Sequence, residues 1–505
     1  PGTSGSVELK VVQNGTLDSA SSVTLNQGAT LELSGTSQIL HGLSMAQGSR
    51  ISDSSAEQTG RVTIQQNAGA RLDLKGSIDA DVYITGGHVI THGADALLRR
   101  VDGADSATLE LQWSGEESIT GGNYTNLSKL QVTSGSVTVG GKLDAATIQV
   151  NSGAQYATGS SHDSAFVLSG AGLAGATHQG ALSLAGNVNM KGPVTLQSDS
   201  TINVVSGWSA TISGAVDARN NTLTKSGEGT LTISGSLSNA GNIDVKAGKL
   251  TLQSYNEGQN LVLTGGGELA VTNWGTRSDA VSIKDGSRLS LTVNGDLKSA
   301  ISGNGQICLG GVVNIYSQFS DGQAGPLSVE LQGGTVSIYP YGINNSHTGG
   351  TILKVGNLFV YESNNLGRGE VYQQGGTIWL TYEDSHLEVD SVRGNGTIKA
   401  YYGGTPMLRL TGAYSDATHV ATYTGSLMVG VQKSGAYTQE FVLNSDTTLP
   451  SVTVNGGTLG FRSDRALNLG SVNVAYGSTL ALGGSGSRTL GASTINGVLD
   501  LAGMN

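Results

Sequence analysis

The chain has 505 residues, of which 77 are glycine, 6 proline and one cysteine; 13% are charged, and the formal net charge is −11. Glycine at about twice its usual share, without the Gly-X-Y period of collagen, and a 37% hydrophobic share exclude both a collagen-like rod and a typical disordered chain. The negative balance argues against a nucleic-acid partner, a lone Cys308 rules out an intrachain disulfide, and no window approaches the ~20 apolar residues of a membrane helix.

Taken in chain order, one small element recurs. A glycine or two is followed by a short polar residue and then by alternating apolar and polar positions. It begins as GATLELS (Gly28–Ser34), GSRIS (Gly48–Ser52) and GARLDLK (Gly69–Lys75). It returns as GEGTLTIS (Gly227–Ser234), AGKLTLQ (Ala247–Gln253), GGELAV (Gly266–Val271) and GSRLSLT (Gly286–Thr292), and later as GGTVSI, GGTIWL, GNGTIKA, GGTLGF and GSTLAL. The first apolar residue falls at Leu31, Ile51 and Leu72, then at Leu231, Leu250, Leu269 and Leu289, then at Ile378 and Ile398, and at Leu459 and Leu480. Neighbours within each group lie about 20 residues apart, a period characteristic of stacked repeats. A partner run precedes many of the glycines, as at Val23–Leu25, Val62–Ile64, Ile243–Val245, Val281–Ile283, Val452–Val454 and Val472–Val474.

Alternation with period two over short runs predicts short strands with one buried face. A unit of about 20 residues cannot bury its own apolar row and must stack on copies of itself. The expected fold is all-β, a parallel β-solenoid. At ~4.8 Å per coil, some two dozen coils would make a rod on the order of 110 Å long. The expected divisions are coils over 1–315, an aromatic-rich segment over 316–445, and C-terminal coils over 446–505 that stop before a missing translocator.

Residues 181–235 and 345–380 give these repeats a family likeness. The second stretch, NSHTGGTILKVGNLFVYESNNLGRGEVYQQGGTIWL, has T-G-G-T, a strand, an N-x-L-G corner and then G-G-T. The chain resembles the passenger regions of bacterial autotransporters built from the autotransporter-associated β-strand repeat. The resemblance implies a right-handed parallel β-helix, secreted through an outer-membrane barrel and displayed on the cell surface.

Catalytic signatures are sparse. There is no H-E-x-x-H, no C-x-x-C and no Walker lysine. GAGLAG (Gly170–Gly175) fits G-x-G-x-x-G only formally and reads as a corner. The acidic candidates for a polysaccharide-cleaving site are Glu116, Glu117, Glu383, Asp384, Glu388 and Asp390. Adjacent pairs point to opposite faces of a strand, so they read better as surface charge. His347, His386 and His419 have no metal-ligand spacing, and no cofactor or metal is expected.

Eleven of the 16 tyrosines fall between 316 and 437, where the repeat continues. Aligning the units places Val336, Leu358, Ile378 and Ile398 inward, with Ile338, Val360, Leu380 and Ala400 two positions on. The outward positions become Tyr339, Phe359, Trp379 and Tyr401, with Tyr423 as the continuation; Tyr341 and Tyr361 share their parity. Coils ~4.8 Å apart would set these side by side as one outward aromatic ladder. Such a ladder either shields its flank by stacking or forms a patch that binds.

The function expected from this reading is a non-enzymatic surface passenger acting in adhesion or aggregation. Its partners would be glycans or surface proteins of host or neighbouring cells, with self-association at open ends also expected. The alternatives are a carbohydrate-active β-helix enzyme and a purely structural spacer.

Overall fold

The structure, a computed structural model, describes the chain except residues 1–6, 12–15, 18–21, 68, 94–95, 97–98, 105, 120–122, 254, 256–260, 275–277, 340–344, 362–365, 413, 415–417 and 504–505. The chain divides into two compact units, Pro1–Asn256 and Glu257–Asn505. Regular structure among the described residues is β-strand, without an α-helix. The fold is an all-β solenoid in which each coil stacks in parallel on the one before it.

In the first unit the strands Ser209–Ile212, Thr230–Ile233 and Lys249–Leu252 stack in parallel, with Ala210, Leu231 and Leu250 in one register row. Ile212, Ile233 and Leu252 form the next inward row, and both rows are buried. The threonines between them, Thr211, Thr232 and Thr251, face outward as a ladder. Alternation in the sequence has thus become an inside and an outside.

The second unit repeats the arrangement. Asn357–Val360, Thr377–Leu380 and Ser391–Ala400 pair in parallel so that Leu358, Ile378 and Ile398 align, all fully buried. Leu269 aligns with Leu289, Leu459 with Leu480, and Val452–Val454 with Val472–Val474, as the spacing predicts.

One predicted neighbour is different. Leu31 does align with Ile51, but Ile51 aligns with Ile78, while Leu72 aligns with Val89. The coil from Arg50 to Ser77 is longer than the one before it because its connections are longer: its strand Arg61–Ile64 still pairs with Ser37–Leu40, and Leu72 lies in the strand after that. Equal spacing therefore counted a strand that belongs to another row.

The glycine corners have a shared physical cause. Gly334, Gly356 and Gly376 have φ of +82°, +97° and +76°, a region in which a Cβ costs energy. A Cβ on Gly376 would also lie 2.3 Å from the Gly356 carbonyl oxygen, and one on Gly356 would lie 2.3 Å from that of Gly334. Each corner leans on the backbone of the previous one, so glycine is required twice over.

Both units also place a lysine in the core. Lys225 sits in register between Ile202 and Val245, and Lys433 between Leu410 and Val454; both are 0% exposed. Each begins a Lys-Ser-Gly sequence whose turn folds carbonyls back over the ammonium. Lys225 Nζ donates to the carbonyls of Ser226 (2.8 Å), Gly227 (2.6 Å) and Ala247 (3.2 Å). Lys433 Nζ donates to Gly435 (2.5 Å) and Gly456 (3.0 Å) and lies 4.1 Å from the centroid of the Tyr437 ring. Burial lowers both ammonium groups to about 8.

Candidate aromatic binding face

The outward aromatic residues of the second unit form two columns where one was expected. Ser337, Phe359, Trp379 and Lys399 share one register row, set by the strands described above. The other row follows the strand ends. The amides of Tyr316, Tyr339, Tyr361, Thr381 and Tyr401 donate in turn to the carbonyls of Leu297, Ile315, Ile338, Val360 and Leu380. Tyr339 and Tyr401 thus belong to a column two positions along from Phe359 and Trp379. Parity was read correctly from the sequence, while the row was not.

Stacking uses up most of the ring faces. Tyr316 and Tyr339 lie 4.7 Å apart at 7°, and Tyr339 and Tyr361 lie 4.7 Å apart at 15°. Burial and the neighbouring Tyr339 hydroxyl push the Tyr361 phenol up to about 12. In the other column Phe359 stacks on Trp379 at 5.9 Å and 3°, and Lys399 Nζ sits 4.0 Å from the Trp379 ring. Register puts Phe359 and Lys399 on opposite neighbouring coils, so both faces of the indole are covered. Its Nε1–H donates to Asn357 Oδ1 at 3.1 Å. Trp379 is therefore a half-buried rung whose polar atom and ring faces are already engaged.

The columns open at one end. Tyr401 is nearly perpendicular to both Phe359 and Trp379, with its centroid 5.5 and 5.4 Å from theirs, so it lies across the edges of the pair. Tyr402 meets Tyr401 at 88° and 4.8 Å, and Tyr382 meets Tyr361 edge-on at 5.9 Å. Tyr382, Tyr401 and Tyr402 are 52%, 49% and 60% exposed. Beside them, Glu383 and Asp384 are exposed in the turn closed by the Ser385 amide on the Tyr382 carbonyl. Tyr382, Tyr402 and Lys399 escaped the sequence reading; the Tyr-Tyr doublet before Gly403-Gly404 was the available signal.

Tyr423 corrects the expected ladder. It is 0% exposed, points inward, and donates its hydroxyl to Gln373 Oε1 at 3.1 Å. It begins an internal aromatic row with Phe441 and Phe461. The cause is a long coil: Gly394 aligns with Tyr423 and Lys399 with Met428, whereas on the preceding coil Trp379 already aligns with Lys399. Carrying the shorter interval on from Tyr401 therefore landed on the wrong row. Tyr341 lies outside the described residues.

The acidic and histidine candidates are dispersed. Glu116 accepts from the Thr177 amide (2.5 Å) and hydroxyl (3.3 Å), and Glu388 aligns with Arg409 on the next coil. Burial raises the Asp390 carboxyl, and the Asp390 carbonyl accepts from the Tyr437 hydroxyl at 2.6 Å. His347 is buried edge-on to Phe319, with its imidazole lowered to about 4, whereas His419 stacks on Tyr414 at 3.9 Å. Gly170 ends a strand and residues 171–175 turn, with no helix after them. Among the described residues no group of three or more His, Cys, Asp or Glu converges as a metal site would. Compared with known proteins, the chain matches no family model, no curated protein and no solved structure.

Proposed function

We propose that this chain is a non-enzymatic, surface-displayed passenger of the autotransporter type, acting in adhesion or aggregation. It would be held at the cell surface through a region beyond this sequence, and its partners would be glycans or surface proteins of host or neighbouring cells. The repeated G-G-T corners, one of them in T-G-G-T, and the solenoid coils support the passenger reading. The observation that carries the adhesive reading is the aromatic face of the second unit, which ends in three exposed tyrosines rather than in solvated polar side chains. Display of the chain on a non-adherent bacterial cell tests it. Adherence or clumping above the empty-display control is expected, and a glycan array with a parallel polysaccharide-degradation assay separates binding from turnover. Cells that gain neither adherence nor clumping would refute the reading, and turnover of a polysaccharide would replace it with an enzymatic one.

A further inference from the structure

Four aromatic rings among the described residues already carry a cation. Arg61 lies over Tyr83 (4.9 Å), Arg393 over Tyr372 (3.8 Å), Lys399 over Trp379 (4.0 Å) and Lys433 over Tyr437 (4.1 Å). Such pairs draw on the negative face of the ring and strengthen as water is excluded. The exposed corner made by Tyr382, Tyr401 and Tyr402 has the same components except the cation. Tyr401 and Tyr402 stand perpendicular, Tyr382 lies edge-on to Tyr361, and the Thr405 amide joins the two turns by donating to the Glu383 carbonyl. The three phenol hydroxyls make no hydrogen bond among the described residues, and the Glu383 and Asp384 side chains have no ion pair there. Lys399, two positions before Tyr401, is already seated on Trp379.

We infer that this corner binds an ammonium-bearing pyranose, that is, the amino sugars of a partly or fully deacetylated glycan. The inference rests on the adhesive reading above and names the ligand class of that same face. A pyranose offers an apolar C–H face for one exposed ring, and its ammonium pairs with the Glu383 and Asp384 carboxylates. Its hydroxyls meet the three free phenols. A lysine side chain or a trimethylammonium headgroup supplies the cation but no set of hydroxyls for those phenols. The internal column rungs do not contribute, because their faces are covered by one another.

The test is calorimetric titration of the full chain with a short β-1,4-linked glucosamine oligomer. The fully N-acetylated oligomer, phosphocholine vesicles and a lysine oligomer of equal charge serve as comparators. Binding of the amino-sugar oligomer at least ten-fold tighter than each comparator is expected. Because a chain of net charge −11 attracts polycations without any site, the deciding variant is Tyr401→Ser combined with Tyr402→Ser, which leaves the charge unchanged. It should lose ten-fold or more in affinity while keeping its circular dichroism and melting point. Glu383→Gln with Asp384→Asn should lose a similar factor and flatten the salt dependence. Equal affinity for the acetylated oligomer, the phosphocholine vesicles or the lysine oligomer, or an unchanged affinity of the Tyr401→Ser, Tyr402→Ser variant for the amino-sugar oligomer, would overturn the assignment. Adherent cells whose purified chain ignores the amino-sugar oligomer would overturn it while leaving the adhesive reading intact.

Discussion

Two stacks of coils, residues 209–252 in the first unit and 357–400 in the second, share nearly everything that makes a solenoid. Both run in parallel register over coils of closely similar length, and both present two inward rows of Leu, Ile, Val or Ala, buried except at the half-buried Ala400. They differ on the outer face, where Thr211, Thr232 and Thr251 in one correspond to Phe359, Trp379 and Lys399 in the other. The inward rows and the corners therefore determine the fold, and the outward row is left to vary with what the surface must meet.

The most damaging way to break the likeness is at a corner. Gly376→Ala adds a Cβ at positive φ and drives it into the Gly356 carbonyl, whereas Gly207→Ala meets the same φ cost (+82°) with nothing within 4 Å. The first should lose about 3 kcal/mol or more and the second about 1 kcal/mol, measured as local opening free energies by hydrogen exchange. Equal losses would show that the stacked carbonyls are not the constraint.

The core lysines come next. Lys225→Met and Lys433→Met each strand two or three buried carbonyls and should cost about 1–3 kcal/mol at neutral pH. Their folded values of about 8 lie below the 10.5 of an ordinary lysine. Between those limits the unfolded chain binds the extra protons, so stability should climb as pH rises from 8 towards 10.5. That climb should shrink in either Met variant and be lost in the double variant; thermal melts across this window read it directly.

Exchanging the outer faces should do less. Trp379→Thr removes a stacked pair and a cation–aromatic contact and should cost about 1–2 kcal/mol. Thr232→Trp adds a ring to a solvated row with no stacking partner and should stay within about 0.5 kcal/mol of the parent. Tyr401→Ser is expected to change stability by no more than about 1 kcal/mol, through loss of its edge contacts, and to change adhesion most. Unchanged adherence of cells displaying this folded variant would mean that the aromatic end is only a capping contact.

How far the sequence could be read depended on whether coil length stayed constant. Where corners repeat at a steady interval, as from Leu231 to Leu250 or from Leu358 through Ile378 to Ile398, periodicity alone gives the correct neighbours. It failed at Leu72 and at Tyr423, each within a lengthened coil, because burial fixes which residues face inward but not how long the connecting turn is. The aromatic face was legible as outward parity. The sharing of ring faces was not, since Tyr339 stacks on Tyr361 and Trp379 on Phe359 through side-chain angles that no spacing encodes. The core lysines were passed over for a similar reason: Lys-Ser-Gly looks like surface turn chemistry until the turn carbonyls are seen to close over the ammonium.

The glycine corners have one more consequence. Because Gly334, Gly356 and Gly376 each abut the preceding backbone, the flank they occupy works as a keyway in which no coil can gain a residue or a side chain. The long coil between Lys399 and Met428 takes its additional length elsewhere, between the strands Met407–Leu410 and Val420–Met428, since Val389 still aligns with Leu410 at the ordinary interval. The natural cassette for recombination is thus one coil cut from glycine corner to glycine corner. A coil carrying an aromatic rung can be exchanged for one carrying threonine without disturbing those above and below it, so the surface can be rewritten one rung at a time.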